Sequence, residues 1–259
     1  MDHAKAADVL FDMRRTGRIE PDLPPDLRPG DLASAYAIQE ELVDRLTADA
    51  GNTIGYKCAC TSEIAQRALR IDRPVFGRLL SHTTSDSDVE LAADTFTHRV
   101  IEAEYGIRVG SDVPERPGGH TAESIAEHVD AVIPSIEIVD YRFVDWSIGA
   151  LPTAADNAIH GWWIQGEPVT DWRGLDLVAS EVTVRTDGEV TTTGSGVNVL
   201  GHPLNVLAWL ADELPRFGRQ LRAGDLVTTG VVTDVFEGEA GQSITAEFAG
   251  LGSVAVSFA

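Results

Sequence analysis

The chain has 259 residues, is 43% hydrophobic, and carries a formal charge of −21 from 41 acidic residues against 20 lysines and arginines. That composition suits one sizeable domain with a real core and excludes disorder, while the acidity removes the basic footprint that a nucleic-acid partner needs. No apolar run approaches the roughly 20 residues of a membrane helix, and "MDHAKAADVLFDMRR" lacks a signal peptide's apolar centre, so a cytoplasmic protein without membrane contact is expected.

In chain order, "AKAADVLFDMRRTG" sets Ala6, Val9, Leu10 and Met13 at helical spacing and ends at Gly17, which predicts a first helix. After the proline-rich connector "PDLPPDLRPG", Asp31 caps a second predicted helix through "LASAYAIQEELVDRLTAD". "GNTIGYKCAC" reads as a short strand, and Thr61 or Ser62 as the cap of a helix through "EIAQRALR". That strand carries Lys57, which with Lys5 makes up all the lysine in the chain. Cys58 and Cys60 form a lone C-x-C, too few thiols for a structural zinc site, and read as buried thiols.

From about residue 76 the pattern changes to strands, predicted at 98–109, 132–140, 181–186, 189–193, 226–232, 243–249 and 252–258, with the Asp-Gly of "TDGE" as a hairpin turn. Helices are predicted at "TAESIAEHV" and at "PLNVLAWLADEL", the latter with Pro203 in its first turn and His202 as a structural or capping residue. Strands dominate this part without β-α-β alternation, so an α+β chain with a closed or rolled mixed sheet fits better than a doubly wound one.

Two of these strands carry the acids of interest. "RVIEAEYGIRVG" puts Glu102 and Glu104 on one face, since side chains two apart on a strand point the same way. They are either the wet face of a half-buried strand or a pair holding something positive. In "AVIPSIEIVDYR", Glu137 shares its face with Ile133, Ser135, Val139 and Tyr141, opposite Val132, Pro134, Ile136 and Ile138. Neither face is polar, and an unpaired buried carboxylate is costly. An arginine such as Arg142 and a bound cation are both open as its partner.

These residues, with "AYAIQEEL", "GYKCACTS", "RPVFGRLL", "ADNAIHG", "GSGVNVLGHPLNVLAWLADEL", "LRAGDLVTTG" and "GLGSVAVSF", resemble the 2-keto-4-pentenoate hydratase family nearly end to end. That family includes 4-oxalocrotonate decarboxylases and sits in the fumarylacetoacetate hydrolase-like superfamily. The resemblance implies an N-terminal helical region over residues 1–75, then a mixed β-sandwich roll over 76–259 that carries the catalytic site. It implies that Glu102, Glu104 and Glu137 bind Mg²⁺ or Mn²⁺, a chemistry that oxygen-preferring divalent ions favour. It further implies a homo-oligomer acting on a small 2-oxo acid. The expected reaction is hydration of a 2-hydroxy-2,4-dienoate through an enolate held by the metal, with Lys57 and Glu137 catalytic. The alternatives are a decarboxylase, an acylpyruvate hydrolase, or a non-catalytic 2-oxo acid binding protein.

Lys57 matches the family's lysine and would bind substrate or, with its pKa lowered near the metal, move a proton. Thr61 is either a site hydroxyl or a helix cap. The chain departs from the family where Val75 replaces an acid, where Ile159 and His160 replace small hydroxyl or thiol residues, and where Ala59 replaces a glycine. Val75, Ile159 and His160 are expected to face the substrate and change what the pocket accepts, making 2-hydroxypenta-2,4-dienoate a poor substrate. "VDWSI" resembles the hydratases.

Overall fold

The computed structural model describes residues 1–145 and 148–259. Helices α1 (His3–Thr16) and α2 (Leu32–Ala50) open the chain, capped by the Asp2 and Asp31 side chains, which accept from the Lys5 and Ser34 amides. Gly17, at φ 66°, ends α1 with the left-handed residue that glycine takes without a Cβ penalty. Strand β1 (Thr53–Ala59), helix α3 (Glu63–Leu69) and strand β2 (Val75–Leu80) follow. Short strands β3 (Thr84–Asp86) and β4 (Val89–Leu91) lead to the long β5 (Val100–Val109). Helix α4 (Ala122–Ile125), β6 (Val129–Val139), α5 (Ala150–Ala155) and β7 (His160–Gln165) complete the centre of the chain. Last come β8 (Glu181–Thr186), β9 (Glu189–Ser195), α6 (Pro203–Glu213), β10 (Leu226–Val231), β11 (Phe236–Glu237), β12 (Ser243–Phe248) and β13 (Gly252–Phe258).

The strands form two sheets. One runs β2-β1-β10-β5-β6-β7-β3, with β11 added beside β5; the other runs β4-β13-β12-β8-β9. β1 and β10 are parallel, as are β3 with β7 and β4 with β13, and the remaining pairs are antiparallel, so both sheets are mixed. β12 and β13 pack against β6, and Tyr105 meets Phe248 edge-on at 5.2 Å between ring centres, so one apolar core fills the space between the sheets. Helices first and curled sheets afterwards is the architecture expected from the sequence. The expected junction at residue 75 falls at the head of β2, and β1 before it lies inside the main sheet.

Several elements differ from expectation, among them strands β2, β3, β4 and β11 and helix α5, which the sequence pattern does not announce. In "TAESIAEHV" only Ala122–Ile125 is α-helical; 126–128 tightens to a 3₁₀ turn and Val129 already starts β6. The β-branched residues of "VDAVI" pair better on a pleated sheet than in a last helical turn. Strand β7 was not foreseen, because "HGWWIQ" has no alternation: it lies against β6 on one side and β3 on the other. Trp146 and Ser147 of "VDWSI" lie outside the described residues. Both cysteines are free and buried.

Candidate metal centre and active site

Strands β5 and β6 pair so that Glu102 stands directly opposite Glu137, with Glu104 two places on, opposite Ser135. Opposed side chains share a face, and like charges so placed repel. One carboxylate oxygen from each of the three glutamates lies within 4.8 Å of the others. Glu104 and Glu137 are fully buried, and the Glu102 side chain is 16% exposed, so this is no wet stripe. Arg142 is not their partner. Its Nη2 is 2.6 Å from Asp140 Oδ2 and its Nη1 is 3.7 Å from Asp156 Oδ2.

The cation present is Lys57. Its Nζ lies 3.3 Å from Glu137 Oε1 and 3.9 Å from Glu102 Oε2, and donates to the Ala158 carbonyl at 3.2 Å. Burial works against the ammonium's charge, but Glu137, Glu102 and Glu104 outweigh it and raise the lysine's pKa above its ordinary value. Burial pushes the Glu102 carboxyl up, and burial with Glu137 and Glu102 pushes Glu104 well up. Burial acts upward on Glu137 as well, yet Lys57 and the hydrogen bond to His160 outweigh it and hold that carboxyl below its usual range. His160 Nδ1 is 2.9 Å from Glu137 Oε1, and burial lowers the imidazole's pKa, favouring the neutral ring.

The cluster sets three carboxyl groups against one ammonium. Glu104 Oε2 accepts the Gly230 amide at 2.7 Å, but Glu104 Oε1 is buried without a hydrogen-bond partner among the described residues. An orphaned carboxylate oxygen, an all-oxygen donor set and that excess of carboxyl groups over cations fit a hard divalent cation. The residues present can therefore hold one through Glu102, Glu104 and Glu137.

Gly230 was missed by sequence reasoning. It sits at φ 89° where the β10–β5 register slips, and a Cβ there would stand 1.9 Å from Thr61 Oγ1. The available signal was a glycine inside the strand-like run "VTTGVV", which marks close backbone approach. Gly230→Ala is expected to push Thr61 and the Glu104-binding amide apart and lower catalytic efficiency about 100-fold. Kinetics on protein shown to be folded by circular dichroism checks this, and parent-like kinetics would refute it.

A cavity of about 760 Å³ opens beside the cluster, and Lys57, Thr61, Glu102 and Ile159 all line it. Thr61 is buried and is not the helix cap: Ser62 caps α3 by accepting from the Ala65 amide. Val75 is fully buried opposite Ala59 and is not among the lining residues, although Ala59 is. His160 likewise stands behind Glu137 and does not line the cavity. His202 caps α6, its Nδ1 accepting from the Leu204 amide at 2.9 Å. The structure thus joins Lys57, Thr61, Glu102 and Ile159 around one space, with the buried Glu104 and Glu137 clustered beside Glu102. His160 is joined to it through a glutamate, and Val75 is set behind the wall. The floor is an anionic trap for a cation with a hydrogen-bond donor beside it, able to bind an oxygen-rich end of a small molecule.

A family profile described as "Fumarylacetoacetate (FAA) hydrolase C-terminal" matches residues 59–259. The chain is 35% identical over 259 residues to a 2-keto-4-pentenoate hydratase of Paraburkholderia xenovorans (strain LB400), covering 98% of this chain and 94% of that one. It is 33% identical over 255 residues to a 2-keto-4-pentenoate hydratase of Burkholderia vietnamiensis (strain G4 / LMG 22486), covering 98% and 97%. Among solved structures, 4-oxalocrotonate decarboxylase from Pseudomonas putida G7, complexed with magnesium and adipate, is similar with a TM-score of 0.93 at 27% identity, covering 99% of this chain and 97% of that one.

Proposed function

The chain belongs to the fumarylacetoacetate hydrolase family, and from that premise we propose that it is a divalent-metal-dependent lyase hydrating a 2-hydroxy-2,4-dienoate with an apolar tail. The observation that carries the reading is the cluster of Glu102, Glu104, Glu137 and Lys57, of which Lys57 and Glu102 line the cavity. Glu102, Glu104 and Glu137 would hold Mg²⁺ or Mn²⁺, which when bound supplies a Lewis acid for the carboxylate and 2-oxygen of the substrate. Lys57 would donate hydrogen bonds or a proton at that oxygen end. Glu137 keeps the ammonium aimed, and His160 keeps Glu137 aimed. Ile159 and Val100 present hydrocarbon to the remainder of the substrate.

The cavity wall supports hydration of an acid with an uncharged tail. Among the described residues the only lining cation besides Lys57 is Arg67, whose Nη2 is 2.9 Å from Glu63 Oε2, and the acids Glu63 and Asp234 line the same space. A second carboxylate on the substrate would meet no cation there, among the described residues, that is not already paired with an acid. The volume lies within the roughly 300–1,000 Å³ of sites for drug-sized ligands, more than a five-carbon acid fills. Decarboxylation of a 4-oxalocrotonate-type acid is the second reading, favoured by the TM-score of 0.93 to that decarboxylase.

Following dienoate absorbance with the Mg²⁺-loaded, Mn²⁺-loaded and chelator-treated protein tests the proposal. Alkyl- or aryl-substituted dienoates should be hydrated faster than 2-hydroxypenta-2,4-dienoate, and chelation should abolish turnover. Release of CO₂ from 4-oxalocrotonate without hydration of any dienoate would establish the second reading instead. Thermal stabilisation by these acids with no turnover would make the chain a binding protein.

A further inference from the structure

Asn157, Ala158 and Ile159 are three successive residues with left-handed backbone, at φ 53°, 50° and 54°, and none is glycine. Such a conformation is unfavourable for any residue with a Cβ, most of all for a β-branched one such as Ile159, and persists only where the surroundings over-determine it. The surroundings here are specific. Strand β2 is an edge of its sheet, and the Asn157 side chain pairs with it as a peptide would: Oδ1 accepts from the Arg78 amide at 2.7 Å and Nδ2 donates to the Arg78 carbonyl at 2.9 Å. The turn sits over Gly77, where an added Cβ would lie 2.4 Å from the Asn157 carbonyl oxygen.

Arg14 of α1 grips both ends of the same turn. Its Nη2 donates to the Asp156 carbonyl at 2.7 Å and its Nη1 to the His160 carbonyl at 3.0 Å, while Nε lies 2.5 Å from Asp156 Oδ1. The turn and its C-terminal end deliver three groups to the site. The Ala158 carbonyl accepts from Lys57 at 3.2 Å, Ile159 lines the wall, and His160 reaches Glu137 at 2.9 Å. A relaxed backbone through 157–159 would aim the Ala158 carbonyl elsewhere and leave the ammonium to its carboxylates alone.

We propose that Arg14 and Asn157, neither of which lines the cavity, are positioning residues that hold this left-handed turn so that the Ala158 carbonyl fixes the direction of the Lys57 ammonium. The kinetic part of the proposal rests on the lyase reading above; the geometric part does not. The test uses Asn157→Ala and, where that variant fails to fold, Arg14→Lys, which keeps a charge by Asp156 but cannot span both carbonyls. With a substrate the parent protein hydrates, kcat should fall about 10- to 100-fold, the scale of a misplacement near 1 Å, while KM and Mg²⁺ affinity stay at parent values. The second readout needs no turnover. Lys5 and Lys57 are the chain's only lysines, so side-chain ¹⁵N-lysine labelling gives two ammonium resonances, one from a fully buried group. In the metal-free parent the Lys57 resonance should be protected from water exchange, and in either variant it should shift and exchange faster. An unchanged Lys57 resonance in the folded variants overturns the proposal, as does a kcat loss matched by an equal loss of Mg²⁺ affinity. Failure of the parent to hydrate any dienoate counts against the lyase reading alone and leaves the resonance test standing.

Discussion

Lys57→Ala is expected to lower kcat by about 100-fold or more, the scale of a positioned acid–base group, without weakening the metal. The residue is 1% exposed, so it has no solvent-anchored alternative pose, and Glu137 and the Ala158 carbonyl hold its ammonium beside Glu102. No other lysine can substitute, because Lys5 lies in the exposed first turn of α1. Truncation removes the only cation that competes for the carboxylates, so Mg²⁺ affinity should stay level or rise. Steady-state kinetics with calorimetry on one preparation checks both halves. A near-parental rate would return Lys57 to a purely structural role.

Glu102→Ala, Glu104→Ala and Glu137→Ala should each weaken Mg²⁺ binding by more than about 100-fold, since residues one shell further out already account for 10- to 100-fold. Activity at limiting metal should vanish with it. The fold should survive, because removing one of three clustered negative charges relieves repulsion in the metal-free protein. The three should differ in stability. Glu102 is the least buried and gives up only a long contact to Lys57. Glu104→Ala strands the Gly230 amide, a buried donor whose loss of partner costs about 1–3 kcal/mol. Glu137→Ala strips Lys57 and His160 of their shared acceptor and should lower the metal-free melting temperature most. Undiminished Mg²⁺ affinity in all three variants would sink the assignment.

The parts of this site that were legible in the sequence are those where composition conflicts with local pattern. Glu102 and Glu104 stood out because a strand's period of two places them together, and Glu137 because both faces of its strand are apolar. Lys57 stood out because the chain otherwise uses arginine. The supporting geometry was not legible, for different reasons. The turn at 157–159 has no glycine to announce positive φ. Arg14 acts on Asp156 across 142 positions, and nothing local in α1 records that contact. Strand β7 hid because buried strands lose alternation. Val75 was expected at the substrate from the family pattern, yet it lies fully buried and outside the cavity lining.

Strand β10 lies between β1 and β5, parallel to the first and antiparallel to the second. The ammonium and the acids therefore sit on strands that have no sheet contact until residues 226–231 are inserted between them. A nascent chain emerges from its N-terminus, so the ribosome releases Lys57, Glu102, Glu104 and Glu137 long before the strand that unites them. Non-local pairing of this kind is slow to form. A chain truncated before β10 would carry Lys57 on one piece of sheet and the three glutamates on another.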